Sequence, residues 1–208
     1  MIDDGGLLAA SESSRPGVLN ELLQRHRKRL VRMADVRLHP QVRARVDASD
    51  VVQEAYLSAS RRVEEYVADP RIPFFIWLRR LVGQRLHKAH RFHLDAQRRD
   101  VRREAREDRP MPDVSVVALV DRLVGMGTTP TQRLARDELR GRLADAVAAL
   151  SATDREVLSL RHFEGLTNQE VAHELGVDKH AASKRYIRAL RRLRQDLGAA
   201  LPWEQSDA

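Results

Sequence analysis

Wherever this chain is hydrophobic, its apolar residues recur at helical spacing, and that spacing restricts the fold more than any other feature. In one segment the apolar positions are Val51, Val52, Ala55, Tyr56, Ala59, Val63 and Tyr66. No window alternates apolar and polar residues as a half-buried strand would. Aromatic residues make up only 4% of the 208 positions. Ala, Val and Leu must therefore fill the core, which favours packed helices over a β-sandwich and predicts an all-α protein.

The helical segments group into two small domains joined by a charged linker. We expect a disordered tail over 1–16, a helical domain over 17–95, a linker with a short helix over 96–130, a second helical domain over 131–197 and a tail over 198–208. In the first domain, one helix ends near Arg37 and the next begins near Asp50, which can cap it while Gln53 closes a capping box. A third helix follows Pro73, a residue suited to a first helical position.

Positive charge is concentrated in three stretches. Residues 25–45 and 79–103 each carry a net charge of +7, and residues 178–195 carry +6. The whole chain carries +7, so everything outside these stretches carries −13. Basic stretches can be solvated helix faces. Three of them on an otherwise acidic chain are typical of a protein that binds a polyanion, and nucleic acid is the polyanion we expect.

Several functions are excluded or disfavoured by what the sequence lacks. It has no cysteine, which excludes disulfides, thiol nucleophiles and cysteine-containing metal sites. No apolar run reaches the ~20 residues that span a bilayer, and the acidic N-terminus lacks the basic region of a signal peptide. His87, His90 and His93 are spaced i, i+3, i+6 and drift around a helix by about 60° per step, so we interpret them as basic surface. We expect a soluble cytoplasmic protein with no metal, no cofactor and no catalytic residue.

Residues 166–188, LTNQEVAHELGVDKHAASKRYIR, have the spacing of a helix-turn-helix. Thr167 with Glu170 forms a capping box for the first helix. Gly176 follows that helix, where a positive φ is wanted, and Asp178 can cap the second helix. An ordinary helical hairpin is the alternative, but the small residue, the glycine and the basic second helix all fall at compatible offsets.

A recognition helix places its N-terminal residues at base edges in the major groove. The candidate base contacts are Lys179, His180, Ser183 and Lys184. Farther along the helix, Arg185, Arg188 and Arg192 are expected to hold phosphates.

Two parts of the sequence resemble a known protein family. LSATDREVLSLRHFEGLTNQEVAHELGVDKHAASKRYIRALRRLR is similar to region 4 of bacterial sigma-70-type factors. SDVVQEAYLSASR and FFIWLRRLVGQRL resemble region 2 of the extracytoplasmic-function (ECF) branch. The resemblance covers about residues 18–95 and 131–197, in the family's order. It implies a sigma factor that binds the RNA polymerase core through its β′ coiled coil and β flap. Region 2 would open and read the −10 element of promoter DNA, and region 4 would read the −35 element.

The resemblance also assigns roles to residues of region 2. Those implied for polymerase binding are Asp50, Val51, Gln53 and Glu54. Those implied for melting and reading the −10 element are Phe75, Arg79, Arg80, Gln84, Arg85, Lys88 and Arg91. Family members often have Asn where this chain has Gln84 and Asp where it has Lys88, so we name no bases.

Simpler interpretations accompany these assignments. Phe74 and Trp77 share a helical face with apolar neighbours and are expected in the core, whereas Phe75 points elsewhere and is the better candidate for an exposed role. Asp50 and Glu54 can be a cap and a solvated acid. A helix-turn-helix regulator with an N-terminal sensor domain would show βα alternation, which is missing from residues 18–95. An anti-sigma factor as a further partner, and the role of 114–125, are left open.

Overall fold

The computed structural model describes residues 4–94, 111–127 and 133–197. These residues form helices and no strand, which confirms the all-α prediction. The chain divides into two compact units, Met1–Pro112 and Asp113–Ala208. The second unit therefore includes the short helix that the sequence analysis assigned to a linker. Most of that linker and the 198–208 tail lie outside the described residues.

Three long helices make up most of the first unit. Its helices are α1 (Asp4–Ala10), α2 (Arg15–Arg37), α3 (Pro40–Arg43), α4 (Ala48–Ala68) and α5 (Phe74–Leu94). Helix α5 packs against α2, α3 and α4. Because it has neighbours on several sides, α5 buries residues from more than one of its faces.

Helix α1 lies in the region predicted to be a disordered tail, so that prediction is wrong for its residues. Leu8 is fully buried, and the Asp4 carboxylate lies 2.9 Å from an Arg25 nitrogen and 2.6 Å from Nε2 of His26. Gly5 allows a close approach, since a Cβ at this position would lie 2.7 Å from the Tyr66 hydroxyl. These contacts come from α2 and α4, and no local pattern in residues 1–16 reveals them.

The start of α4 differs from the prediction. Asp47, not Asp50, is the N-cap residue, and its carboxylate accepts a 2.6 Å hydrogen bond from the Ser49 amide. Helical structure begins at Ala48, so Asp50 lies inside the first turn. There its negative charge interacts favourably with the positive N-terminal end of the helix dipole, but its side chain does not cap the helix.

The second unit also consists of packed helices. They are α6 (Val116–Gly127), α7 (Arg133–Ala149), α8 (Ala152–Leu158), a π-helical segment (Ser159–Phe163), α9 (Asn168–Leu175) and α10 (Lys179–Leu197). Helix α6 packs on α7, and α10 packs on α7, α8 and α9. The short helix predicted over 114–125 is thus present, shifted by two residues.

Candidate nucleic-acid interface

The turn between α9 and α10 forms as predicted from local rules. The Glu170 amide donates to Oγ1 of Thr167 at 3.2 Å, and the Thr167 amide donates to Oε2 of Glu170 at 2.8 Å, which completes the capping box. Gly176 ends α9 at φ +62°, in the left-handed region that favours glycine. The capping box therefore fixes the start of α9, and Gly176 fixes the turn that joins α9 to α10.

Asp178 caps helix α10. Its carboxylate accepts a 2.8 Å hydrogen bond from the Ala181 amide. That hydrogen bond is the main reason that the pKa of Asp178 lies below its usual value. On the inner side of α10, Ala182, Ala189 and Leu193 are buried. The helix is therefore held at its start by the cap and along its length by the core.

The outward side chains of α10 are polar, and four of them are cations, Lys179, Lys184, Arg185 and Arg188. Lys179, His180, Lys184 and Arg188 are exposed, and Ser183 and Arg185 are half-buried. Among the residues that the structure describes, none of these six side chains has a hydrogen bond or an ion pair. Unneutralised cations on one rigid helix attract phosphates at no cost of breaking internal ion pairs.

Arg192 differs from the cations before it. Its guanidinium lies 2.6 Å from the carboxylate of Asp154, which is only 7% exposed. The charge of Arg192 is already paired with this buried carboxylate, so the structure does not support the phosphate-binding role expected for it. The sequence gives no signal for this pair, which joins residues 38 positions apart.

A support that the sequence analysis missed lies behind α10. The Tyr186 hydroxyl is 2.8 Å from Nε2 of His162, and the Arg161 guanidinium lies 5.4 Å from the centroid of the Tyr186 ring. Both partners belong to the π-helical segment, where the Glu164 amide donates to the carbonyl of Ser159 at 3.1 Å. Arg161 and His162 thus contact Tyr186 from this π-helical segment.

In the first unit, Phe75 is not exposed, and the prediction of an exposed role is wrong for this structure. The side chain is 3% exposed. The Arg29 guanidinium lies 3.7 Å from the centroid of its ring, and the ring of His26 lies 5.2 Å away. Helical periodicity places Phe75 away from Phe74, but α2 covers that side of α5 as well.

The cations of α5 have unequal exposure. Arg79 is fully buried and engaged by its surroundings, so it cannot reach DNA in this structure. Arg85 donates a hydrogen bond to Oγ of Ser58. Arg80 and Lys88 are exposed, and neither has a hydrogen bond or an ion pair within the described ranges. Gln84 and Arg91, the other predicted members of this set, are half-buried.

The residues implied for polymerase binding lie on the first two turns of α4. Asp50, Gln53 and Glu54 are exposed, whereas Val51 is 3% exposed and belongs to the core. Val51 therefore offers little surface to a partner. The other three present one polar face.

The described residues contain no group of three or more His, Cys, Asp or Glu side chains placed to hold a metal ion. Nor does any helix among them combine the length and apolar character that crossing a membrane requires.

Comparisons with known proteins agree on one family. Residues 146–195 match the family described as sigma-70, region 4. The ECF RNA polymerase sigma factors SigD of Mycobacterium tuberculosis and Mycobacterium bovis are each 26% identical to this chain over 194 residues, which is 93% of the chain and 84% of the relative. A chain in the structure of CnrH in complex with the cytosolic domain of CnrY has a TM-score of 0.54 and 25% identity, covering 94% of this chain and 98% of that one.

Proposed function

The chain belongs to the ECF type of the sigma-70 family, and we propose that its two units read successive parts of a promoter for RNA polymerase. Sigma factors of this family are non-catalytic proteins of promoter-specific transcription initiation. In the proposal, the second unit reads the −35 element and the first unit opens and reads the −10 element. The observation that carries it is the row of unpaired cations on α10.

Helix α10 is proposed to bind duplex DNA in the major groove. Lys179, His180, Ser183 and Lys184 lie in its first two turns and would contact base edges or nearby phosphates. Arg185 and Arg188 would neutralise phosphates and release counterions, a contribution that weakens as salt rises. Because the core already holds α10 in place, binding to DNA would cost little additional conformational entropy.

In the first unit, we assign the −10 surface to three accessible polar residues of α5, Arg80, Gln84 and Arg91. Arg80 is exposed and unpaired among the described residues, and Gln84 and Arg91 remain partly accessible. Unpairing a base costs a few kcal/mol, which contacts to the extruded base can offset. Phe75 and Arg79 support this surface from the core in the structure described.

RNA polymerase core is the proposed protein partner, bound through Asp50, Gln53 and Glu54 on α4. Polymerase would tether both units near their DNA elements and so raise their effective concentration there. Action with polymerase on promoter DNA would place the protein in the cytoplasm. CnrH, to which the chain is similar, forms a complex with the cytosolic domain of CnrY, and an anti-sigma factor is accordingly included among the proposed partners.

The test is transcription in vitro from genomic DNA by core polymerase with and without this chain. We expect new transcripts with defined start sites that share −35 and −10 sequences. The variant Lys184→Glu tests the role of α10, and Lys184→Arg, which keeps the positive charge, is its matched control. Identical transcripts with and without the wild-type chain would overturn the proposed function.

A further inference from the structure

A groove between α4 and α5 brings together residues that the family resemblance divides between polymerase and DNA. It is lined by Val46, Asp50, Val51, Glu54, Arg85, Lys88, Ala89, Phe92 and His93. Its volume is about 140 Å³, below the ~300–1,000 Å³ of a site for a separate small molecule. An occupant would therefore enter it as a side chain of a larger partner.

The two walls of the groove have opposite charge. Asp50 and Glu54 stand on the α4 wall, and Arg85 and Lys88 stand on the α5 wall. Arg85 is directed across the groove, where it donates to Ser58 and lies 3.9 Å from the Glu54 carboxylate. A nucleic-acid strand in the groove would bring its phosphates toward two carboxylates as well as two cations, so the groove lacks the uniformly positive charge of a phosphate-binding surface. The walls match a protein surface that carries both signs of charge.

Phe92 is the apolar feature of this groove. Its side chain is 74% exposed, more than the other exposed large hydrophobic residues of the described structure. Its ring meets that of His93 edge-on, with centroids 4.9 Å apart. Exposed aromatic rings beside charged residues are enriched at the centres of protein interfaces, where they act as anchors.

Lys88 lies one turn before Phe92 on the same wall. In the described part of the chain it has no hydrogen bond and no ion pair, so its ammonium is available to a carboxylate of a partner. On the opposite wall, the exposed Asp50 is available to a partner's cation. A partner with an apolar side chain between an acidic and a basic residue would fit all three positions.

We propose that Phe92 anchors a protein-docking groove and that Arg85 and Lys88 serve this groove, not the −10 DNA. The polymerase-binding face proposed for α4 would then continue across the groove onto α5. This inference rests on the proposed function, because RNA polymerase core is the partner it names.

The test compares Phe92→Ala with Val117→Ala, a truncation of another exposed apolar residue (Val117 is 52% exposed) in the second unit. We expect Phe92→Ala to weaken binding to core polymerase about 10- to 100-fold, as loss of an aromatic anchor does. Its affinity for a single-stranded −10 oligonucleotide and its melting temperature should stay at the wild-type values. Val117→Ala should bind core polymerase as the wild type does.

Lys88→Glu provides a second variant on the same wall and is expected to weaken core binding as well. If both variants bind core polymerase normally, the inference is wrong while the proposed function stands. If Phe92→Ala loses affinity for the oligonucleotide instead, the groove is a DNA site and the inference is again wrong. Failure of the wild-type chain to bind core polymerase would overturn the proposed function itself and this inference with it.

Discussion

Helices α5 and α10 are both rich in cations, but they use them differently. On α10, the cations predicted to contact DNA have no partner among the described residues, except Arg192, which pairs with Asp154. On α5, Arg79 is buried, Arg85 bonds to Ser58 and Arg80 is exposed. The same residue type thus contributes to the surface of one helix and to the interior of the other.

The difference does not come from the number of neighbouring helices, because α5 packs against α2, α3 and α4 and α10 packs against α7, α8 and α9. It comes from how much of each helix those neighbours cover, since Arg79 of α5 is fully buried whereas most of the cations of α10 are exposed. A helix enclosed on several sides must accommodate long polar side chains within its packing, where they require partners. Charge in the sequence therefore identifies a DNA-binding face only where the fold leaves that face uncovered.

The largest effect is expected on the open helix. Lys184→Glu reverses an unpaired charge at the proposed DNA surface and should abolish promoter-specific transcription, since a lost contact and a repelled phosphate act together. Run-off transcription from a promoter that this protein recognises measures the loss of activity. Lys184→Arg should retain activity, and full activity of Lys184→Glu would contradict the recognition-helix assignment.

Next in size is the contrast between adjacent arginines of α5. Arg79→Ala removes a fully buried, engaged cation and should lower the free energy of unfolding by about 3 kcal/mol or more. Arg80→Ala should change it by less than about 0.5 kcal/mol and should weaken DNA binding. Urea unfolding with parallel binding measurements separates the two. Equal stability of both variants would remove the distinction between buried and exposed cations.

A similar but smaller contrast is expected on α10. Arg192→Ala leaves the buried Asp154 carboxylate without its partner and should cost about 1 kcal/mol of stability, because the arginine is itself half-exposed. Arg188→Ala should leave stability unchanged and reduce affinity for duplex DNA. Thermal unfolding and DNA titration provide the two readouts, and an exchange of these effects would contradict the assignments.

The smallest effect concerns pH. Burial lowers the pKa of His26 below its usual 6.5, against the opposing influence of the hydrogen-bonded Asp4 and together with that of Arg29 and Arg25. The unfolded chain therefore takes up a proton first, so stability is full above pH 6.5 and falls as pH drops through the lowered pKa of the folded state. The free energy of unfolding, measured at about pH 7.5, 6.5 and 5.5, should show this decline.

His26→Gln should make that decline shallower. Part of it should remain, because burial also lowers the pKa of His90. A steeper decline in the variant would contradict the explanation.

Most features that depend on neighbouring residues were predictable, although the cap of α4 is Asp47 and not the predicted Asp50. The capping box of Thr167, the glycine at position 176 and the cap at Asp178 each involve partners within three residues or a single φ angle, and all three are present. Features that depend on distant partners were not. Phe75 turned out to be buried, since helical spacing identifies one apolar face but not a second neighbouring helix.

By itself the sequence determined the class of fold, the two basic helical modules and the helix-turn-helix, because apolar spacing, caps and charge runs act over a few residues. Tertiary structure decided which cations remain available, where the second unit begins and that residues 4–10 form a docked helix. It also placed Phe92 beside Lys88 on the basic wall of a groove whose other wall carries Asp50 and Glu54. Burial and pairing join residues far apart in the chain, so they are settled only when the helices pack.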